Sequence, residues 1–328
     1  MKILTILIFS GDRMSIKELL DDIVELNKYN IDVRVVEWSN DKKNLIKKNY
    51  IYKIYKKKIK NLKIYYQGGN WQQKYKIFIN KFKSKYILLI GDDDRINIFN
   101  FKKIFKYLKS NYSGITLSYK NFQNNFEIEK NDDFGLNYIR PFNLRSDLNK
   151  IGFTSCQIIR VNLIRKIINE EKKYLTKSMF PQNFIILSII KKFNNWKVLE
   201  LKCIYNRSGS LDIFKINSRN LSSILKISNR LKSEYSGYLS PLKKNFIELS
   251  DYELKRIYNN IFFSNIISWI FLSIKIKGKR KTYNNIKSVR GIIKEPFLVK
   301  ITLMVIYICP ILILDFLRIF RKFLKKVF

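Results

Sequence analysis

The sequence predicts an α/β fold in which helices flank a mixed, mainly parallel β-sheet, followed by a helical region. Two observations lead to this prediction. Over residues 1–100, apolar runs typical of buried strands alternate with segments of helical periodicity, an order that favours parallel strands joined by right-handed crossovers. The apolar run at residues 86–90 predicts a strand buried on both faces, and Asp92, Asp93 and Asp94 follow it after one glycine.

The predicted elements follow in chain order. Short apolar runs predict strands, and apolar residues at helical spacing predict helices. Strands are expected at residues 2–9, 31–38, 62–66, 86–90, 113–119, 153–160 and 196–201. Helices are expected at residues 15–26, 71–82 and 99–108, and from residues 161 and 181 onwards, while 42–60 is a helix or a helix and a loop. A basic loop is expected at residues 203–210.

The composition limits the classes of function. Lysine and arginine number 64 against 26 aspartate and glutamate residues, which gives a formal charge of +38. The chain contains no alanine and is rich in residues of A/T-rich codons, so genome composition accounts for part of the lysine. The rest suits an anionic partner such as phosphate, lipid headgroups or nucleic acid.

Histidine is absent, which excludes histidine general bases, Ser-His-Asp and Cys-His nucleophile systems and histidine-ligated zinc. A proton acceptor must then be Asp or Glu, or less favourably Lys or Tyr. Cys156, Cys203 and Cys309 lie far apart and form no CxxC motif, which favours a reducing compartment without disulfides.

The three aspartates at the end of the central strand predict a metal site. Ligands of open α/β sheets bind at the carboxyl ends of the strands. Clustered carboxylates repel one another, and oxygen-only ligands favour Mg²⁺ or Mn²⁺. A solvated acidic turn is the alternative for an isolated run of this kind, but the buried strand that leads into it favours the metal.

This pattern resembles the family 2 glycosyltransferases of the GT-A fold, over roughly the first two hundred residues. In that family a first strand ends in a polar turn, a second ends near an acidic turn, a helix carries Asn and a basic residue, and a hydrophobic strand delivers a DxD motif. The matching residues here are Ser10, Gly11, Asp12 and Arg13; Glu37 to Asp41; Asn70 and Lys74; and Asp92, Asp93 and Asp94.

The resemblance implies a role for each of these residues. Asp94, with Asp92, would bind the metal; Asp92 would also approach the ribose hydroxyls, and Asp93 would support either. Ser10, Asp12, Arg13 and Asn70 would line the nucleotide-sugar site, Asp41 or Glu37 would bind the base, and Lys74 and Arg207 would contact the phosphates. Mn²⁺ or Mg²⁺ would stabilise the departing diphosphate of a UDP-, GDP- or dTDP-sugar. The family also implies inversion at the anomeric carbon.

The general base is not assigned. Where the family carries an acidic pair at the start of a helix, this chain has Gln182 and Asn183, which cannot take up a proton at neutral pH. Three explanations remain open: a base elsewhere, a displaced alignment, or an inactive relative. The first is preferred, and the candidate bases are Asp132, Asp133, Glu170, Glu171 and Asp212.

The carboxyl-terminal segment indicates membrane attachment. The domains predicted are a catalytic domain at 1–212, a helical appendix at 213–290 and a membrane-associating segment at 291–328. Residues 301–314 form an uninterrupted apolar run, and the residues after it place aromatic side chains on one helical face and cations on the other. We expect peripheral or monotopic attachment on the cytoplasmic side; a helix docked on the body or a second subunit is the alternative.

The predicted function is transfer of a sugar to a saccharide or lipid-linked acceptor, in the synthesis of surface polysaccharide, lipopolysaccharide or glycolipid. A catalytically silent relative that binds sugar or acts as a scaffold is the first alternative. A nucleic-acid-binding protein is the second, because cations and aromatic residues together bind single strands. No recognition-module signature is present, so no nucleic acid is expected as a partner.

Overall fold

The structure is a computed structural model, and it describes residues 2–11, 14–39, 41–66, 81–122, 138–151, 154–171, 181–207, 240–246, 249–250, 252–254, 257 and 280. The chain divides into two compact units, Met1–Ile213 and Phe214–Phe328. The first contains the whole β-sheet, and in the second the described residues include one short helix, Ser240–Asn245.

Nine strands in the described part of the chain form one mixed sheet. They are β1 Leu4–Ser10, β2 Ile31–Glu37, β3 Leu62–Tyr66, β4 Tyr86–Gly91, β5 Arg95–Ile96, β6 Gly114–Phe122, β7 Ile139–Pro141, β8 Gln157–Arg160 and β9 Trp196–Arg207. Their order is β3-β2-β1-β4-β8-β6-β9-β5, with β7 paired to β9.

The sheet consists of a parallel half and a mixed half. Strands β3, β2, β1 and β4 are parallel to one another, whereas β8 is antiparallel to both β4 and β6. Strand β9 is parallel to β6 and antiparallel to β5 and β7. The prediction of a mixed, mainly parallel sheet is confirmed.

In the first unit, helices flank the sheet. They are α1 Ile16–Val24, α2 Lys42–Lys58, α3 Ile98–Leu108, α4 Leu144–Ile151, α5 Val161–Glu170 and α6 Pro181–Phe193, and the described residues of the second unit include α7 Ser240–Asn245. Asp41 and Asn97 are N-cap residues, and their side chains accept hydrogen bonds from first-turn amides of α2 and α3. Asp41 thus has a capping role, and its predicted contact with the nucleotide base stays a prediction.

Strands β1, β2 and β4 form the centre of the core. Their side chains point to both faces of the sheet and nearly all are fully buried. Such strands read as continuous apolar runs rather than alternating ones, since both faces are covered. This is why the sequence predicted them correctly.

The structure differs from the prediction at several elements. Strand β9 continues through Arg207, so residues 203–207 belong to the sheet and not to a basic loop. Strand β8 begins at Gln157, since Thr154–Cys156 form a turn of 3₁₀-helix. The short strands β5 and β7 and the helix α4 were not predicted.

Several predicted features lie outside the described residues. They include most of the helix at 71–82, the segment 291–328, most of 213–290 and Cys309. The division at 212 and 290 therefore stays a prediction. Across the described ranges, no helix has both the length and the apolar character needed to span a bilayer. Cys156 and Cys203 are both buried free thiols.

Candidate functional site

Three parallel strands end side by side, and each delivers a polar residue to the same edge of the sheet. The register pairs Phe9 with Gly91 and Ser10 with Glu37. Ser10 and Glu37 are thus level with the end of β4, and Asp92 follows directly. All three side chains are buried. Sequence reasoning had selected these residues separately, and the sheet brings them together.

The Asp92 carboxylate is held by the end of β1. Its Oδ2 accepts hydrogen bonds from the Ser10 hydroxyl at 3.0 Å and from the Gly11 amide at 3.0 Å. The Asp92 amide in turn donates to the Phe9 carbonyl at 3.2 Å. Both the backbone and the side chain of Asp92 are therefore fixed.

Lys48, on the inner face of α2, is a member of the site that sequence reasoning missed. Its Nζ donates to Ser10 Oγ at 2.8 Å and to the Gly11 carbonyl, and lies 3.3 Å from Glu37 Oε2 and 3.8 Å from Asp92 Oδ2. The side chain is fully buried. We call Ser10, Glu37, Lys48, Tyr52 and Asp92 the edge network.

A sequence signal for Lys48 existed. Lys48, Tyr52, Tyr55 and Ile59 recur at spacings of four, three and four residues, and all four are buried. That spacing defines the inner face of a helix. Because lysine is so frequent in this chain, the residue type alone carried no information.

Glu37 makes internal contacts with both carboxylate oxygens. Oε1 accepts from the Ser39 amide at 2.8 Å, and Oε2 accepts from the Tyr52 hydroxyl. Burial and the hydrogen bond to Glu37 raise the pKa of Tyr52 far above its ordinary value, so the phenol stays protonated and donates. The predicted contact of Glu37 with the nucleotide base would have to be made in addition to these hydrogen bonds.

Asp94 lies at the turn after β4 and is also buried. Its Oδ2 accepts from the Ser155 hydroxyl, and its Oδ1 accepts from the Arg207 amide at 3.3 Å. Burial, and then the charge of Asp94, raise the pKa of the Cys156 thiol well above its ordinary value. The raised pKa keeps this buried thiol neutral near pH 7, which makes it a poor nucleophile.

Arg207 ends β9 directly beside the aspartates. Its Nε donates to the Asp93 carbonyl at 3.1 Å, its Nη2 pairs with Glu18 Oε2 at 2.7 Å, and its guanidinium lies 4.9 Å from the centre of the Phe122 ring. This location suits the predicted phosphate contact. Glu18, on α1, is a second residue that sequence reasoning missed.

Several predicted site residues lie outside the described part of the chain. Among the nucleotide-binding candidates they are Asp12, Arg13, Asn70 and Lys74. Among the candidate bases they are Asp132, Asp133 and Asp212. Their predicted roles stay predictions.

Glu170 and Glu171 lie at the end of α5, and both face Lys192 of α6, at 2.6 and 3.6 Å. The hydrogen bond from Lys192 lowers the pKa of Glu170, which makes it a weaker proton acceptor. Gln182 and Asn183 are buried in the first turn of α6, and within the described residues Asn183 Oδ1 has no hydrogen-bond partner.

The carboxylates near the tip of β4 are the candidate metal ligands. In the ranges that the structure describes, no cluster of three or more Asp, Glu, Cys or His side chains could hold a metal ion. Mg²⁺ is commonly held by one or two carboxylates together with substrate phosphates. Asp92 and Asp94 supply two carboxylates, and the described residues do not form a metal site made of protein groups alone.

Comparison with known proteins identifies the fold. No family model and no curated protein matches the sequence. Among solved structures, S. aureus TarS 1-349 aligns with a TM-score of 0.55 at 15% identity, over 87% of this chain and 79% of that one. The chain has the GT-A fold.

Two further crystal structures of the same TarS fragment, each with a bound ligand, are also similar to this chain. The complex with UDP-GlcNAc aligns with a TM-score of 0.55 at 16% identity, and the complex with UDP with 0.54 at 14% identity. Each covers 87% of this chain and 79% of that one. Within the GT-A fold, the edge network and Asp94 lie at the carboxyl ends of the parallel strands, where α/β folds bind ligands.

Proposed function

We propose that the chain is a glycosyltransferase that moves a sugar from a nucleotide-sugar to a saccharide or lipid-linked acceptor. The observation that carries the proposal is the pair Asp92 and Asp94 at the tip of β4, with Asp92 fixed by the end of β1. The fold is shared with a protein crystallised with UDP and UDP-GlcNAc. UDP is therefore the first nucleotide to test, before GDP and dTDP.

The proposed mechanism is metal-dependent. Mn²⁺ or Mg²⁺, held by Asp94 with Asp92, would stabilise the negative charge that grows on the diphosphate as the glycosidic bond breaks. Ser155 and the Arg207 amide hold the Asp94 carboxylate in place. The Arg207 guanidinium would add positive charge on the same side. As the family resemblance implies, we propose direct displacement with inversion at the anomeric carbon.

We further propose that the enzyme acts on the cytoplasmic side of a membrane, attached through residues 291–328. The support is the apolar run followed by a segregated cationic helix pattern, which suits an anionic membrane surface. Surface polysaccharide, lipopolysaccharide and glycolipid are the products that such a location favours.

Calorimetry tests the donor site. Wild-type protein should bind UDP in the presence of MnCl₂ and lose this binding in excess chelator. Asp94→Ala should weaken Mn²⁺-dependent binding about a hundredfold or more, since even outer-shell partners of metal ligands are worth 10- to 100-fold. Glu25→Ala, which removes an exposed carboxylate after α1, is the control and should bind normally. Failure of the wild type to bind UDP, GDP or dTDP would contradict the proposal.

A second candidate function is donor binding without transfer. It is favoured by the amides Gln182 and Asn183 at the helix start where the family carries its base. Hydrolysis of UDP-GlcNAc separates the two candidates, because a silent relative binds UDP but releases no sugar. Turnover by the wild type that is lost in Asp94→Ala would exclude the second candidate.

A further inference from the structure

Lys48 occupies an unusual position for a lysine. It lies on the inner face of α2 and is 0% exposed, in a chain that places its other described lysines mostly at the surface. Removing an ammonium group from water costs several kcal/mol, and an apolar residue in the same place is often equally stable or more so. The position therefore needs an explanation beyond packing.

The contacts of Lys48 converge on one residue of the donor site. Nζ binds Ser10 Oγ, and Ser10 Oγ in turn donates to Asp92 Oδ2. Nζ also binds the carbonyl of Gly11, whose amide donates to the same Asp92 oxygen. Each of these two routes reaches Asp92 through one residue, and Nζ itself lies 3.8 Å from Oδ2.

These contacts fix the plane of the Asp92 carboxylate. A carboxylate with one oxygen held by a hydroxyl, an amide and a nearby cation cannot rotate about its last bond without losing all three. The position of the second oxygen, Oδ1, is fixed together with the plane. The orientation of the carboxylate is thus set jointly by the end of β1 and by Lys48 of α2.

We propose that Lys48 is the positioning residue for ribose recognition. It holds the Asp92 carboxylate so that Asp92 Oδ1 meets the ribose hydroxyls of the donor nucleotide. This inference rests on the proposed function. It predicts that the site selects ribonucleotides, because the 2′-hydroxyl donates to a carboxylate whose orientation Lys48 determines.

The test is the ratio of dissociation constants for 2′-deoxy-UDP and UDP, measured by calorimetry in MnCl₂. A hydrogen bond to a charged group contributes about 1.5 kcal/mol or more, so the wild type should prefer UDP about tenfold. Because both ligands bind the same folded protein, a general loss of stability leaves the ratio unchanged. A wild type with equal affinity for the two would overturn the inference.

The double variant Lys48→Met with Glu37→Gln removes the cation together with its nearest carboxylate, so that Glu37 is not left as a buried unpaired charge. Its preference for UDP should fall to within about twofold. Tyr55→Phe changes a hydroxyl of the same helix face, which donates to Asp21 outside the site, and should keep the tenfold preference. An unchanged ratio in the double variant would overturn the inference.

Ser10→Ala decides the question if the double variant does not fold. Ser10 is fully buried, so its hydroxyl influences a ligand through Asp92. Removing this one oxygen should reduce the ratio to about threefold, and no reduction would overturn the inference. A wild type that binds neither nucleotide would instead contradict the proposed function itself.

Discussion

The two halves of the sheet each contain an ion network, and the two networks differ in burial, balance and location. The edge network joins the ends of β1, β2 and β4 to α2. A second network, which we call the β7 network, joins β7, α4, β6 and β9 and consists of Ser118, Arg140, Asp147, Lys150 and Glu200. As defined by these described residues, it has two cations for two carboxylates, whereas the edge network has one cation for two.

The geometry of the β7 network indicates a structural role, since its ion pairs connect β7, α4 and β9. Arg140 pairs with both oxygens of Asp147, each at 2.6 Å, and with Glu200 at 2.6 Å. Lys150 pairs with Glu200 at 3.0 Å, and Ser118 donates to Glu200 at 3.0 Å. Side-chain hydrogen bonds to Asp147 and Glu200 accordingly raise the pKa of Arg140 above its ordinary value.

The comparison shows that buried charge does not by itself identify a functional site. In a balanced network with a bidentate arginine–carboxylate pair, a structural role is sufficient to explain the charges. An unbalanced network at the carboxyl ends of parallel strands lies where ligands bind. The networks should therefore respond differently to substitution: the β7 network through stability, and the edge network through nucleotide affinity.

The largest expected effect is on stability. Arg140→Met leaves Asp147, which is 1% exposed, without its main partner. Removing one member of a buried pair costs about 3–5 kcal/mol. Because Arg140 is 24% exposed and Lys150 remains 3.5 Å from Asp147, we expect about 2–3 kcal/mol by urea unfolding. UDP affinity should not change, and a large loss of affinity would contradict the distinction between the networks.

The stability contributed by the β7 network should depend on pH. Burial raises the pKa of Asp147 and Glu200, but the hydrogen bonds from Arg140 and Lys150 outweigh it and hold both pKa values below their ordinary values. Groups with lowered folded pKa values contribute stability above their unfolded pKa values, about 4, and lose it as the pH falls through the folded values.

The difference in unfolding free energy between the wild type and Arg140→Met should therefore be complete at pH 7 and shrink below about pH 4. Urea titrations of both proteins at several pH values measure it. A difference that grows on acidification would have the wrong sign for this explanation.

Two glycines that contact tryptophans offer a matched pair of smaller changes. A Cβ at Gly114 would lie 2.3 Å from the ring of Trp196, which is buried in the mixed half, and one at Gly11 would lie 2.3 Å from Nε1 of Trp38. Gly114→Ala should cost about 1–3 kcal/mol of stability and leave UDP affinity unchanged. Gly11→Ala should weaken UDP binding, because the Gly11 amide holds Asp92.

Calorimetry and thermal unfolding of both variants check this pair. Equal losses of UDP affinity in the two would mean that Gly11 acts through general packing.

The smallest expected effect concerns Arg207. Glu18→Gln removes the charge that holds its guanidinium at 2.7 Å, and we expect UDP affinity to fall about fivefold, or about 1 kcal/mol, the net contribution of an ordinary hydrogen bond. Glu170→Gln is the matched control. It breaks an ion pair of similar length, the 2.6 Å contact between Glu170 of α5 and Lys192 of α6, and should change UDP affinity less than twofold. Increased UDP affinity in Glu18→Gln would mean that Glu18 competes with the diphosphate for Arg207.

Much of the fold was predictable because each central strand can be recognised from its own run of apolar residues. Strands β1, β2 and β4 are buried on both faces, so each reads as an apolar run. Strands β5 and β7 have two and three residues, too few to show any period. The end of β9 reads as polar, since residues 206 and 207 are only half-buried at the edge of the site.

The site was predictable in part for a similar reason. Asp92 and Asp94 could be predicted because they come directly after a recognisable strand. Ser10 and Glu37 could be predicted because they lie at the ends of recognisable strands. Glu18 had no such local marker, because a glutamate on a helix is ordinarily solvated. Lys48 was marked only by its spacing from Tyr52, Tyr55 and Ile59, and the many other lysines of the chain obscured it.

The sequence by itself determined the α/β class, the central strands and the aspartates at the tip of β4, since these depend on neighbours in the chain. The tertiary structure alone decided what Lys48 contacts and which groups hold the Asp92 carboxylate. The contacts responsible join residues 38 and 82 positions apart. They exist only because parallel strands place their carboxyl ends side by side and α2 packs across them, an arrangement that no local pattern of residues encodes.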